Sequence, residues 1–375
     1  EARCTQIRAA AELRPPGDPL PPSSACEPHS CGAFDRVARV AHVGGVWNLS
    51  LFSTLCFEGP KEGWVLPTDK LSAFASWTND HGARAAFANA GFKRYDHGAR
   101  AAFANAGFKR YLAKPHLLRD EGSKREFLAS RKWIAGAAFI VDEGHMSASG
   151  TSPAHFAKRL LRLYGATQGT EGSADLPIFE HLVLPTTPTR TLGRSWFRAL
   201  RKLAYPLPAP LLHTHSAEDL LRQAPVCFEH IAVSGTEDTY FVSAADASRM
   251  RGRAYKLAGV AREPECGAPR SACYFRRSEG MARRVSNEAD VLAAIATRFG
   301  RVRIVGLDSS SSFAEQVSTF ASCDLLVSVH GSHNANIMWM RPGAAFLEIN
   351  PPKFYYDSYM RLSGMAGLLY VQSRN

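Results

Sequence analysis

Hydrophobic periodicity divides the chain unevenly. Over residues 1 to about 60 Pro-rich runs such as RPPGDPLPPSSACEPHSCG break any period, and this stretch reads as irregular and cysteine-bearing. The following segment to about residue 130 reads as helical. Lys132 to Val141 (KWIAGAAFIV) is a continuous apolar run of strand length, and Pro153 to Tyr164 (PAHFAKRLLRLY) places Phe156, Leu160 and Leu163 on one helical face. Phe179 to Leu184 is a further strand closed by Pro185, and the basic, Pro-punctuated stretch Thr186 to His215 reads as a linker.

Beyond it the pattern becomes regular. Val226 to Val233 is a strand, Asn287 to Phe299 a helix, Val302 to Gly306 a strand, Ser312 to Ser322 a helix, and Leu325 to Val329 and Ala344 to Ile349 strands. Alternating helices and apolar strands predict a parallel sheet covered by helices. Two such halves predict a two-domain α/β protein with a cleft, over an N-terminal segment 1–60, a first domain 61–215 and a second domain 222–375.

Composition narrows the class. The 375 residues are 45% hydrophobic and 21% charged, which excludes disorder, collagen-like sequence and a coiled coil. The longest apolar stretch, Ile134 to Val141, is far short of the ~20 residues of a bilayer-spanning helix, so the chain as given is expected to be soluble. It begins at Glu1 with neither a signal peptide nor an anchor, and further native chain, including a membrane anchor, is expected beyond these ends.

The formal charge of +11 raises nucleic acid as a partner, but one segment changes that picture. Asp80 to Tyr95 (DHGARAAFANAGFKRY) is repeated without change as Asp96 to Tyr111; each copy nets +2, so the pair supplies +4. Two copies are too few for a solenoid, and the pattern reads as two short structural helices rather than a phosphate-binding patch. Without basic motifs interleaved with aromatics, no nucleic-acid partner is expected.

Eight cysteines follow a similar division. Cys4, Cys26, Cys31 and Cys56 lie in the irregular N-terminal stretch and Cys266 and Cys273 bracket a Gly/Pro/Ser loop, spacings that suit loop-stapling disulfides in a secretory lumen. The sequon Asn48-Leu49-Ser50 points the same way and makes Asn48 a candidate glycosylation site. Cys227 and Cys323, inside apolar runs, read as buried free thiols.

Candidate chemistry collects at strand ends in the second half. Leu325 to Val329 runs into His330-Gly331-Ser332-His333-Asn334-Ala335-Asn336, with a helix expected directly after it. In an open parallel sheet ligands sit beyond the carboxyl ends of strands, and amide groups at a helix start suit a phosphate. If Cys273 to Phe275 ends a strand, Arg276 or Arg277 faces the same edge, where a planar guanidinium can clamp a diphosphate; a solvated basic loop is the alternative. His330 and His333 also form HxxH, but without a nearby acidic ligand no metal site is expected.

The order of these motifs resembles glycosyltransferase family 61, which includes EGF-domain-specific and O-mannose-directed N-acetylglucosaminyltransferases and plant xylosyl- and arabinosyltransferases. SFAEQVSTFASCDLLVSVHGSHNANIMWMRPGAAFLEINP (Ser312 to Pro351) is similar to its pattern of F-x-E-Q/x-V, D-V/L-L-V-G-x-H-G-A-G-L-T-N, P-P-G-A and an acidic residue before proline. ARRVSNE (Ala282 to Glu288), VCFEHIAVSG (Val226 to Gly235) and PAHF (Pro153 to Phe156) resemble R-x-I-L-N-E, V-C-F-E-K/R-A-I-V-G and N-x-x-H-F/W.

The resemblance implies a GT-B-like α/β fold, two Rossmann-like domains facing a cleft, and an inverting, metal-independent transferase. Its donor would be a UDP-sugar and its acceptor a hydroxyl of a glycoprotein or polysaccharide, in the Golgi or endoplasmic reticulum lumen or secreted. Carried over, Arg276, Arg277 and Arg283 would neutralise the diphosphate, while His330, Gly331 and Ser332 would cap it. Asn336 would hold the loop, Glu348 could bind ribose hydroxyls, and His155 would be the catalytic base or an acceptor contact. The chain departs from the pattern at HGSHNAN, at Ser152 and at Arg159, and an inactive relative that only binds a glycan or partner is the alternative.

Overall fold

The computed structural model describes residues 38–43, 47–52, 54–57, 64–68, 114–117, 121–140, 153–168, 176, 178–184, 195–205, 212–234, 240–261, 271–277, 283–307, 311–354 and 356–373. The tandem repeat 80–111 and Cys4, Cys26, Cys31 and Cys266 lie outside them, as do the side chains of Asn48 and His155. Two compact units emerge, one within Ser24–Val242 and one within Ser243–Asn375. Among the described residues no helix is long and apolar enough to cross a membrane.

The first unit has nine described strands in one mixed sheet: β1 (Ala38–Val43), β2 (Trp47–Phe52), β3 (Leu55–Phe57), β4 (Trp64–Thr68), β5 (Lys114–Leu117), β6 (Lys132–Ile140), β7 (His181–Leu184), β8 (His213–Ser216) and β9 (Val226–Ser234). The main path runs β5-β4-β3-β9-β6-β7-β8, with β2 also paired to β9 and β1 to β2. β9, β6, β7 and β8 are mutually parallel, whereas β2 and β3 run antiparallel to β9. The stretch expected to be irregular thus contributes β1 to β3, and the segment expected to be helical contributes β4, β5 and only one described helix, α1 (Glu121–Ala129).

Helix α2 (Pro153–Gln168) buries the predicted face of Phe156, Leu160 and Leu163. Phe156 meets Phe197 edge-on with ring centroids 4.8 Å apart. That partner belongs to α3 (Ser195–Ala204), inside the stretch expected to be a linker. Trp196, Phe197, Leu200, Leu203 and Ala204 form its buried stripe at helical spacing, while its Arg and Lys residues occupy the other face. Tyr205, just after the helix, donates to Phe179 O (2.9 Å) and accepts from Phe179 N (2.7 Å), and its burial pushes the phenol pKa up. Helix α4 (Ala217–Gln223) joins β8 to β9.

The second unit is a fully parallel five-stranded sheet among the described residues. Its strands are β10 (Ala272–Phe275), β11 (Val302–Val305), β12 (Leu325–Val329), β13 (Ala345–Ile349) and β14 (Leu369–Ser373), in the order β11-β10-β12-β13-β14. Numbered within the unit this is 2-1-3-4-5, the doubly wound order whose direction reverses between the first and third strands.

Helices cover both faces. On one, α6 (Glu288–Phe299) packs Ile295, Val291, Leu292 and Phe299 on Ala272, Tyr274, Val327, Leu347 and Ile349. On the other, Phe275 faces Phe320 of α7 (Phe313–Ala321) and His333 of a 3-10 helix over Ser332–Trp339, where an α-helix start was expected. Helices α5 (Ala244–Ala258) and α8 (Ser358–Ala366) pack against this second layer. The sequence signal for α7 is strong because Ser312 and Glu315 close a reciprocal capping box.

Cys227 and Cys323 are not free thiols. Cys56 and Cys227 stand directly opposite in the β3–β9 ladder and are bonded, and Cys273 of β10 is bonded to Cys323 just before β12. The partners are 171 and 50 residues apart in sequence, so the pairing is a product of the strand order and is invisible in local spacing.

Candidate functional site

β10 and β12 are neighbours at the point where the strand order reverses, with Phe275 opposite Ser328. Arg276 and Arg277 therefore leave the sheet beside Val329 and His330. The ladder holds both exits in place: Arg276 N donates to Val305 O and His330 N to Ile349 O, each at 2.9 Å. Carboxyl ends of strands at such a reversal leave a crevice that suits a ligand.

His330 is the most constrained side chain there. Its Nδ1 lies 2.7 Å from Glu348 Oε1, and Glu348 Oε2 accepts from the Tyr370 hydroxyl at 2.6 Å. Because a carboxylate only accepts, Nδ1 carries the proton toward it, which leaves the lone pair of a neutral ring on Nε2. Phe354, Tyr359 and Tyr356 surround the imidazole, with centroids at 4.6, 5.2 and 6.0 Å. Glu348 is fully buried, so the geometry gives it the task of orienting His330 rather than an open, ribose-contacting position.

The turn after His330 is tied on both sides. Gly331 O accepts from the Tyr359 hydroxyl (2.7 Å) and from Asn334 N (3.0 Å). A Cβ at Gly331 would stand 2.7 Å from His333 Cε1 and 3.5 Å from Arg277 Nη1, so any larger residue would displace the His333 ring. Ser332, partly buried, begins the 3-10 helix. Asn336 is buried and holds the loop to α7, donating to Gln316 Oε1 at 3.2 Å and accepting from Trp339 Nε1 at 3.0 Å.

The three arginines diverge in role. Arg276 turns outward and pairs with Glu288 at the start of α6, its Nε 2.7 Å from Oε1. Arg277 stays with the turn beside Gly331, and burial, then the nearby charge of Arg283, lower its pKa from the ordinary arginine value. Arg283 has φ +66°, a left-handed conformation unusual for a residue with a Cβ. From there Nη1 reaches His330 O at 3.2 Å. Two guanidinium groups gathered on one turn, one on a strained backbone, have the chemistry to hold an anion.

His155 and Asn48 belong to the first unit, on α2 and β2. His330 and His333 use ring nitrogens on Glu348 and Ser328, and among the described residues no group of three His, Cys, Asp or Glu is placed to hold a metal ion. The sequence pattern did not disclose Tyr359 and Phe354, which pack on His330 from the C-terminal region, Tyr370, which holds Glu348, or Ser328, whose apolar strand hides its hydroxyl. The alternation LLYVQS was the available signal for β14 and hence for Tyr370.

A family model described as Glycosyltransferase 61 matches residues 177–347. The matched span contains Arg276, Arg277, Arg283, His330 and Asn336 and stops one residue before Glu348. No curated protein matches the chain.

Proposed function

We propose that the chain, whose residues 177–347 match the Glycosyltransferase 61 family model, is a glycosyltransferase, and that its donor is a UDP-sugar bound at the His330–Gly331 turn. The observation that carries this reading is the convergence of Arg277 and Arg283 on that turn at the reversal point of a parallel sheet. The developing negative charge of a departing nucleoside diphosphate needs fixed positive groups and amide donors, which Arg277, Arg283 and the Gly331 and Ser332 amides supply. His330 adds an imidazole whose orientation is set by Glu348 and Tyr370.

The sequence has no Asp-x-Asp, and the proposed reaction uses arginines in place of a metal-chelated diphosphate. The acceptor hydroxyl oxygen bonds to the anomeric carbon as the carbon–oxygen bond to the diphosphate breaks. The hydroxyl proton passes to a base, for which His155 is our candidate, and the configuration inverts. We assign the two α/β units to a GT-B arrangement and the acceptor to a glycoprotein or polysaccharide. The buried disulfides support a secretory lumen as the compartment.

The test is a transfer and hydrolysis screen with UDP-GlcNAc, UDP-xylose and UDP-arabinose, with the anomeric configuration of the product read by NMR. Inverted product from one donor, abolished in Arg277→Ala, is the expected result. Retained configuration overturns the one-step mechanism, and failure of UDP to bind overturns the donor assignment.

A further inference from the structure

Among the positions that depart from the family pattern around this turn, three touch one another. Ser328 and His333 each stand where the pattern has Gly, and Asn334 where it has Leu. The structure joins all three: Ser328 Oγ lies 2.7 Å from His333 Nε2 and 2.8 Å from Asn334 Oδ1, while Asn334 Nδ2 donates to Val329 O at 3.2 Å.

The protons in this group can be placed by elimination. Val329 O only accepts, so the Asn334 amide nitrogen faces it and Oδ1 faces Ser328. Ser328 has one hydroxyl proton, and of the two acceptors beside it Asn334 Oδ1 at 2.8 Å is nearer than Val329 O at 3.2 Å, so the proton goes to Asn334. His333 Nε2 must then donate to Ser328 Oγ, and the lone pair of a neutral His333 lies on Nδ1. Phe275 fixes the ring plane, stacked at 4.0 Å with 10° between planes. Burial and the adjacent Arg277 lower the His333 pKa to about 3, so it is neutral at physiological pH.

Nδ1 borders the turn that the donor reading uses. It lies 2.8 Å from the position a Cβ on Gly331 would occupy, and Arg277 Nη1 lies 3.5 Å from the same point. We propose that Ser328, His333 and Asn334 act as one unit that turns the bare Nδ1 of His333 toward Arg277 and so aims that guanidinium at the donor diphosphate. His333 is then a positioning residue acting through Arg277, and the proposal rests on the reading of this turn as the donor site.

The experiment is calorimetric titration of the full chain with UDP and, separately, with uridine, which lacks the phosphates. His333→Phe keeps the stack on Phe275 but has no ring nitrogen, and is expected to bind UDP about tenfold more weakly with uridine binding within about twofold of wild type. His333→Asn, whose Oδ1 can stand where Nδ1 stands, is expected to recover UDP affinity to within about threefold of wild type, whereas His333→Gln, which matches Nε2 instead, is not. UDP affinity unchanged in His333→Phe, or equal losses for UDP and uridine, overturns the proposal and leaves the donor assignment standing. If His333→Phe fails to fold, the Asn and Gln variants decide between the same outcomes. A wild-type chain that binds neither ligand overturns the donor assignment and this proposal with it.

Discussion

Glu348 shows how far a residue's identity and its task can separate. The acidic residue before a proline stands out in the sequence, but its burial does not, since that depends on β13 being flanked by both β12 and β14. Both its oxygens are engaged, so Glu348→Ala leaves His330 Nδ1 and the Tyr370 hydroxyl without their acceptor. An orphaned buried polar group costs about 1–3 kcal/mol, and thermal denaturation is expected to show a loss in that range together with weaker UDP binding. Tyr370→Phe spares the His330 contact but leaves Glu348 Oε2, an oxygen of a buried carboxylate, without its donor, and a loss in the same range of about 1–3 kcal/mol is expected. Gly331→Ala makes the opposite test. Its φ of −178° is ordinary extended backbone, so the effect is steric, falling on the His333 ring. We expect UDP affinity to drop about tenfold with a stability loss of only about 1–3 kcal/mol, and unaltered UDP binding would refute the close approach.

Elements were legible where one periodicity acted alone. β6, β9, β12 and β13 are apolar runs bounded by breakers, and they lie within a residue or so of where the pattern puts them; α7 carries its own cap. The failures have a shared physical cause. The amphipathic stripe of α3 is hidden in a basic, Pro-flanked stretch, and β1 to β5 are short strands tied into the sheet through β9, far away in sequence, with which β2 and β3 pair. The same non-locality concealed the disulfides. Cys273–Cys323 closes a separation of 50 residues between the first and third strands of the second unit's sheet. Removing it with Cys273→Ser and Cys323→Ser should cost the chain about 2–5 kcal/mol, read as a lower denaturation midpoint that reductant lowers no further at this bond. A midpoint equal to wild type would show that the sheet is held without the crosslink.

The whole molecule carries a pH dependence that no single run of sequence discloses, because its histidines meet only after β6, β7 and β8 assemble. His181 Nε2 donates to Ala135 O (2.9 Å), so its Nδ1 accepts from His215 Nε2 at 3.0 Å, and His213 stacks on the same ring. A proton added to His181 would set one N–H against another. Burial is the largest cause lowering both values, with His215 pushed to about 4; neighbouring His213 and Lys132 add to the shift, and Glu180 and Asp219 oppose it. A folded-state pKa below the unfolded value of 6.5 means that only the unfolded chain takes up the proton in the interval. The stabilisation is therefore complete above about pH 6.5 and declines as pH falls toward 4, by up to tenfold in the folding equilibrium per pH unit for each such histidine. His333, at about 3, places the same demand on the second unit. Urea denaturation at pH 7, 5.5 and 4.5 should show a steadily falling midpoint in wild type, with the slope reduced by about one proton in His215→Leu. A midpoint constant across that range, or a slope untouched by the substitution, would remove the histidine cluster as its cause.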